Sequence, residues 1–147
     1  MSLFNQLEND LVAALRSRDT NKLNTLRLII SEVKYAIIDL KAKGKELTDQ
    51  DVIGVLIRES KKRKESIEIF EKAGRTDLSD TEKAELAVIE SYLPKQISRE
   101  ELEKIVAEVI ESTEKREFGT VMKEVMIRVK GQADGKDVAE AVKLLLA

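Results

Sequence analysis

Apolar residues recur at three- and four-residue spacing along nearly the whole chain, and this period constrains the fold most strongly. One such series is Leu23, Leu26, Ile30, Val33 and Ile37. This spacing places side chains on one face of an α-helix. Only six of the 147 residues are Gly, one is Pro and 3% are aromatic, which is typical of a helical protein. The sequence therefore predicts an all-α fold.

Seven helices follow from the period and from the residues that interrupt it. Thr48, Ser79 and Ser98 are each followed three positions later by an acidic residue, which is the spacing of a helix-initiating capping box. These boxes predict the starts of the third, fourth and fifth helices. Gly44 and Gly74 supply the left-handed conformation that ends the second and third. The seventh helix is expected to bury Val138, Ala141, Val142 and Leu145.

The single proline divides the predicted helices into two groups. Pro94 cannot continue a helix, because its ring removes a hydrogen-bond donor and clashes with the preceding turn. We therefore expect an N-terminal domain of four helices over residues 1–93 and a C-terminal domain of three helices over residues 94–147. In the second domain, Gly131 and Gly135 bound the turn between the last two helices.

The residues that are missing exclude most kinds of catalytic site. The chain has no Cys and no His, which excludes disulfides, Cys–His and Ser–His–Asp catalysis, and cysteine-bound metals. We expect no catalytic centre in this chain alone, no cofactor and no metal site. The longest apolar runs are four residues, whereas a membrane span needs about 20. Because no secretory signal is recognisable either, we expect a cytoplasmic protein. We also expect a monomer.

The strongest local charge feature lies in the third helix, at residues 61–64. Arg58, Lys61 and Lys62 fall on one outer face, where they could meet phosphates. Arg63 instead falls within the apolar stripe, one turn after Glu59. An unpaired buried charge is costly, so we favour Arg63 as a structural clamp, paired with Glu59 or with a carboxylate on a neighbouring helix. A ligand contact is the alternative.

A second cationic segment spans residues 128–136, around the glycine turn. The turn leads into a helix N-terminus, where unpaired amides attract anions. Lys130 and Lys136 would reinforce such a site, and Asp134 would oppose it unless it caps the helix itself. The sequence leaves a phosphate site and simple helix punctuation equally open. The candidate phosphate contacts of the C-terminal domain are Lys123, Arg128, Lys130, Lys136 and Lys143.

Three segments resemble a known family. Residues 61–75, Asp77-Leu78 and residues 90–96, which read Glu-Ser-Tyr-Leu-Pro-Lys-Gln, resemble the YqeY family. Residues 130–136, which read Lys-Gly-Gln-Ala-Asp-Gly-Lys, are similar to the tail domain of GatB, the B subunit of the aspartyl/glutamyl-tRNA amidotransferase. The resemblance implies an all-helical protein whose tail-like domain could engage tRNA. The relatives' complex is a carbon–nitrogen ligase with glutamine as amide donor, and its catalytic parts have no counterpart in this chain.

The leading interpretation is therefore a tRNA-binding accessory or adaptor module without its own catalytic centre. Its partners would be tRNA and amidotransferase or translation-related proteins, with no membrane involved. The alternative is a protein–protein interaction module of a cytosolic complex, which would dock through a groove between the two domains. Met122, Met126 and the terminal residues 144–147 are the apolar candidates for that contact, although a place in the core is the expectation that we favour for them.

Overall fold

Seven α-helices make up the chain, and the computed structural model describes residues 1–147. The helices are α1 (Leu3–Ser17), α2 (Thr20–Ala42), α3 (Asp49–Lys72), α4 (Thr76–Glu90), α5 (Arg99–Ser112), α6 (Phe118–Val129) and α7 (Gly135–Leu146). No strand is present, so the all-α fold expected from the sequence is confirmed. None of the seven helices combines the length and the apolar character that crossing a bilayer needs.

The chain divides into two compact units, Met1–Leu93 and Pro94–Ala147. In the N-terminal unit, α1 to α4 each contribute a fully buried residue to one core, namely Leu7, Leu26, Leu56 and Ile89. In the C-terminal unit, α5 to α7 surround a second core that contains Val106, Val125 and Val142. Each unit therefore has its own apolar centre. Pro94 follows the last turn of α4, which ends at Glu90.

Two of the three predicted capping signals start helices. Thr48 and Asp51 form a reciprocal capping box at the start of α3: the Asp51 amide donates to the Thr48 hydroxyl, and the Thr48 amide donates to the Asp51 carboxylate at 2.8 Å. Ser98 caps α5 by accepting a hydrogen bond from the Glu101 amide. These local bonds satisfy amides that have no partner within the helix.

The prediction that Ser79 caps the fourth helix is wrong. The helix begins three residues earlier, at Thr76, and Ser79 lies buried inside it with its hydroxyl donating to the Thr76 carbonyl. Glu82, the supposed second half of the box, instead pairs with Arg63 of α3. The sequence spacing was right for a cap, but an interhelical ion pair uses the carboxylate.

The predicted burial of Leu145 is also wrong. Val138, Ala141 and Val142 are fully buried, as expected, but Leu145 is 38% exposed. Leu146 packs against the core in its place. Residues three and four positions after Val142 both lie near the buried face of α7, and the packing of the last turn selects the second of them.

Candidate nucleic-acid interface

The predicted basic face of α3 is interleaved with carboxylates. Arg58 and Lys62 are exposed and Lys61 is half-buried. Lys62 donates to Glu59 at 3.1 Å. The Arg58 guanidinium folds back over Gly54, 3.5 Å from the position that a Cβ would take. Because Lys62 is bound to the Glu59 carboxylate, this face presents less free positive charge than the sequence suggests.

Arg63 lies at the centre of an ion-pair cluster between α3 and α4. Its Nη2 is 3.6 Å from Glu59 Oε2, and its Nε is 3.4 Å from Glu82 Oε2 and 2.8 Å from Glu85 Oε2. The side chains of Arg63 and Glu59 are only 13% and 5% exposed. The guanidinium is therefore enclosed by carboxylates of its own helix and of the neighbouring one, an arrangement that suits a clamp between helices.

Burial sets the electrostatics of this cluster. Desolvation raises the pKa of Glu82, Arg63 partly offsets that rise, and the nearby Glu85 charge adds to it. Arg63 Nε and Glu82 Oε2 are buried and form no hydrogen bond, although Arg63 Nε is only 2.8 Å from Glu85 Oε2. The cluster is therefore held together mainly by charge. It leaves Arg63 without a free face for a ligand.

The turn between α6 and α7 is fixed by hydrogen bonds within the C-terminal unit. Gly131 has a φ of 76°, a conformation that glycine adopts without strain. The Gln96 side chain donates to the Gly131 carbonyl at 2.8 Å, and the Ile97 amide donates to the Gln132 carbonyl at 3.0 Å. The segment after Pro94 thus braces the turn. Sequence reasoning assigned no role to Gln96, and only its place in the family-like stretch 90–96 could have suggested one.

Asp134 occupies the N-terminus of α7. Its side chain accepts a hydrogen bond from the Lys136 amide at 3.4 Å, so it acts as the helix cap. A carboxylate at this position competes with any anion for the same amides. Gly135 is the first residue of α7, and a Cβ there would be 3.9 Å from Met126, an ordinary contact. Of the two interpretations of this turn, the geometry favours helix punctuation.

Four of the five predicted lysine and arginine contacts of this unit border the junction of α6 and α7. Lys123 and Met126 share one side of α6 because they are three residues apart, and Met126 approaches Gly135 at the start of α7. Lys130 is the residue that directly follows α6. On α7, Lys136 and Lys143 lie on one side of the helix because they are seven residues, about two turns, apart. We call Lys123, Lys130, Lys136 and Lys143 the lysine face.

An aromatic residue fixes the far end of the lysine face. The ammonium of Lys143 lies 5.8 Å from the centre of the Phe118 ring, a cation–π distance. This contact turns the side of α7 that carries Lys136 and Lys143 toward α6. All four lysines are exposed, and none forms an ion pair with a carboxylate. Phe118 was not singled out from the sequence, where its isolated position gave no signal.

Arg128, the fifth candidate, points to the other side of α6. Its Nη2 donates to Glu108 of α5 at 2.8 Å. Glu124 directly follows Lys123 in α6, so its side chain points about 100° away from that of Lys123 around the helix. On α7, Asp137 directly follows Lys136. Glu140 lies on the same side of the helix as Lys136 and Lys143, because it is four residues after one and three before the other, and its carboxylate is 3.5 Å from Arg99 of α5. The structure thus groups four of the predicted cations and separates Arg128 from them.

Comparisons with known proteins agree on one family. The family model described as Yqey-like protein matches residues 4–146. The protein named altered inheritance of mitochondria protein 41, mitochondrial, of Pyrenophora tritici-repentis is 34% identical over 145 residues, which cover 94% of this chain and 77% of that protein. An uncharacterized protein of Schizosaccharomyces pombe is 35% identical over 92 residues, 63% of this chain and 72% of that protein.

A distant similarity reaches the tRNA-dependent amidotransferases. A glutamyl-tRNA(Gln) amidotransferase subunit of Sulfurisphaera tokodaii is 29% identical over 157 residues, which cover 97% of this chain but 23% of that protein. This similarity extends over both units, whereas the sequence resemblance to GatB involved only the second. Because a relative's name places it in mitochondria, the cytoplasmic location stays a prediction. The match to the family model over residues 4–146 shows that the chain belongs to the YqeY family.

Proposed function

We propose that this protein is a tRNA-associated helical module that acts as an adaptor and leaves catalysis to other proteins. The observation that carries the proposal is the lysine face, four exposed lysines beside the α6–α7 junction with no carboxylate partner. Phosphate backbones are bound by lysine and arginine side chains that converge on one surface. The similarity to a subunit of a glutamyl-tRNA(Gln) amidotransferase supports tRNA as the polyanion.

A protein with a slightly negative net charge can bind RNA in this way, because the charges closest to the phosphates dominate the interaction. The net charge is −2, yet many carboxylates are engaged in ion pairs or caps away from the lysine face. RNA recognition would depend on shape and backbone contacts, because Phe118 is the one aromatic ring found at this surface. The proposal therefore predicts tRNA binding that is strongly salt-dependent.

The test is a binding titration with fluorescently labelled unfractionated tRNA at about 50 and 200 mM salt. Four phosphate contacts should lower the affinity on the order of a hundredfold between these conditions. A variant with Gln at all four positions of the lysine face should lose this binding. A matched variant with Gln at Lys43, Lys45, Lys64 and Lys95 removes the same charge from other exposed sites and should bind as the wild type does.

Two results would contradict the proposal. One is undetectable tRNA binding at low salt. The other is equal binding by the lysine-face variant and the matched control, which would mean that net charge alone governs the interaction. Circular dichroism of both variants confirms that the helices remain folded.

A second candidate function is a protein-interaction module, and exposed apolar residues of the C-terminal unit favour it. Ile127 and Leu144 are both about 60% exposed (62% and 60%), and Met126 is exposed beside the lysine face. Contacts made through such residues persist at high salt, unlike phosphate contacts. A partner retained by the immobilised protein at about 1 M salt but lost from an Ile127→Asp, Leu144→Asp variant would support this alternative.

A further inference from the structure

The outward side of α2 carries a row of uncharged residues opposite the face that packs into the core. Its members are Leu28, Ser31, Tyr35, Ile38 and Ala42, all exposed. Their separations alternate between three and four residues, which is the heptad spacing of a coiled-coil seam. Tyr35 and Ile38 are 66% and 63% exposed. Covering these two large side chains with a partner would remove much apolar surface from water, which is favourable. We call these five residues the α2 seam.

Charged residues flank the α2 seam with one sign on each side. The basic residues Arg27, Lys34 and Lys41 each precede a seam residue, at the positions that coiled coils denote g. The acidic residues Glu32 and Asp39 each follow a seam residue, at the e positions. None of the five is in an ion pair within the chain, in contrast to the charged residues around Arg63. The α2 seam is therefore flanked by basic residues on one side and acidic residues on the other, none of which is paired within the chain.

We propose that α2 pairs in parallel with α2 of a second copy of this chain. In a parallel pair, a g residue faces the e residue that lies five positions later on the other helix. Arg27 would then face Glu32 of the second copy, and Lys34 would face Asp39, with both contacts repeated by symmetry. An antiparallel pair would bring g against g and e against e, which sets lysine against lysine and carboxylate against carboxylate. The charge pattern therefore selects the parallel arrangement.

The composition of the seam makes this association weak and reversible. Leu28, Tyr35 and Ile38 are suited to a coiled-coil interior, but Ser31 is polar and Ala42 fills little space. The seam covers only two heptads. We expect a monomer–dimer equilibrium that depends on protein concentration, rather than the monomer expected from the sequence.

Sedimentation velocity over a hundredfold concentration range up to about 200 µM tests the proposal. The wild type should shift toward the dimer as the concentration rises. Tyr35→Asp should abolish the shift, because it buries two carboxylates against each other. A protein that stays monomeric throughout, or a dimer that Tyr35→Asp leaves unchanged, would overturn the proposal. The substituted side chain is exposed, so folding is unaffected, and circular dichroism checks this.

Charge reversal tests the register of the pair. Lys34→Glu would place two carboxylates opposite each other and should raise the dimer Kd about tenfold, since two contacts change sign. Adding Asp39→Lys to that variant should restore the wild-type Kd. Lys104→Glu, at an exposed position of α5, changes the net charge equally and should have no effect. Failure of the double variant to recover would refute the proposed parallel register.

Cross-linking tests the orientation directly, because the chain contains no Cys. Ala42→Cys should form an intermolecular disulfide under mild oxidation, since a parallel pair brings the two positions side by side. An antiparallel pair centred on Tyr35 would hold them about 21 Å apart along the helix axis. Lys104→Cys serves as the control and should not cross-link. Cross-linking of Ala42→Cys no faster than that control would exclude the parallel seam.

Discussion

The Glu85 carboxylate on α4 lies 2.8 Å from the Nε atom of Arg63 on α3. This contact joins two helices whose link is the short segment around Gly74, and it continues through Arg63 to Glu59 one turn earlier on α3. A single guanidinium thus holds three carboxylates at the surface of the N-terminal core. The position of α4 against α3 depends on this charge as well as on the apolar contacts beneath it.

Arg63→Leu should destabilise the protein by about 3 kcal/mol. The substitution leaves the partly buried Glu82 and Glu85 without their cation and the buried Glu59 with only the exposed Lys62, and an uncompensated buried charge is strongly destabilising. Urea unfolding followed by circular dichroism measures the effect. Arg75→Leu removes an exposed ion pair with Asp77 and should cost much less, because solvent screens that pair. Equal losses for the two variants would show that the cluster is not a clamp.

Glu82→Gln should change how stability varies with pH. Burial raises the pKa of Glu82 above its ordinary value of 4.5, so the folded protein keeps this proton to a higher pH than the unfolded chain does. The stability that Glu82 contributes is full below pH 4.5 and is lost as the pH rises through the folded pKa. The variant should therefore gain stability relative to the wild type from pH 4.5 toward neutrality.

The measurement for Glu82 is a series of urea unfolding curves across that pH range. Glu124→Gln, at an exposed position in α6, provides the control and should show no such trend. A relative stability of Glu82→Gln that falls as the pH rises would mean that Arg63 favours the carboxylate more strongly than burial opposes it.

Tyr92→Phe should cost about 1 kcal/mol at neutral pH. The Tyr92 hydroxyl donates to Asp10 at 2.6 Å and joins the end of the N-terminal unit to α1, and one such bond contributes about this much. Burial and then the Asp10 hydrogen bond raise the pKa of Tyr92 above 10.0. The folded protein therefore keeps the Tyr92 proton to a higher pH than the unfolded chain does. The stability that the hydroxyl contributes is full below pH 10 and is lost as the pH rises through the folded pKa.

Thermal unfolding at pH 7 and above pH 10 checks the Tyr92 prediction. The difference between the wild type and Tyr92→Phe should shrink at the higher pH. Tyr35→Phe removes a hydroxyl that makes no hydrogen bond within the chain, and it should change stability by less than about 0.5 kcal/mol. A Tyr92→Phe protein as stable as the wild type at pH 7 would contradict the assigned role of the bond.

Within the proposed RNA interface, Lys136→Gln and Arg128→Gln should behave differently. Lys136 belongs to the lysine face, so its loss should weaken tRNA binding about threefold and reduce the salt slope by about one. Arg128 is held by Glu108 on the other side of α6, so its loss should leave both quantities nearly unchanged. Anisotropy titrations at several salt concentrations measure both. The opposite order of effects would move the interface to the α5 side of the unit.

The all-α fold could be predicted because the signals for helices are local. Thr48 bonds to a residue three positions away, and the buried row of α2 repeats within one or two turns. Such interactions are fully specified by spacing along the chain. Ser79 shows where local spacing is insufficient, since its separation from Glu82 fits a cap but Arg63 on another helix takes the carboxylate.

The candidate site was less predictable because it depends on contacts between helices, which spacing along the chain does not specify. The sequence identified Lys123, Arg128, Lys130, Lys136 and Lys143 as cations, but it could not tell which carboxylates would neutralise them. The packing of α6 against α5 pairs Arg128 with Glu108. The packing of α6 against α7 leaves the four lysines of the lysine face exposed and without an ion pair.

By itself, the sequence determined the number and type of the helices, the absence of Cys and His chemistry, and the need of Arg63 for a carboxylate partner. Only the tertiary structure decided that Glu82 and Glu85 join Glu59 as partners of Arg63, that Leu146 replaces Leu145 in the core, and that the α2 seam remains uncovered. Helix period and capping act over three or four residues, whereas ion pairing and exposure depend on which helices meet. Contacts between helices have no fixed spacing in the sequence, so only the packed chain defines them.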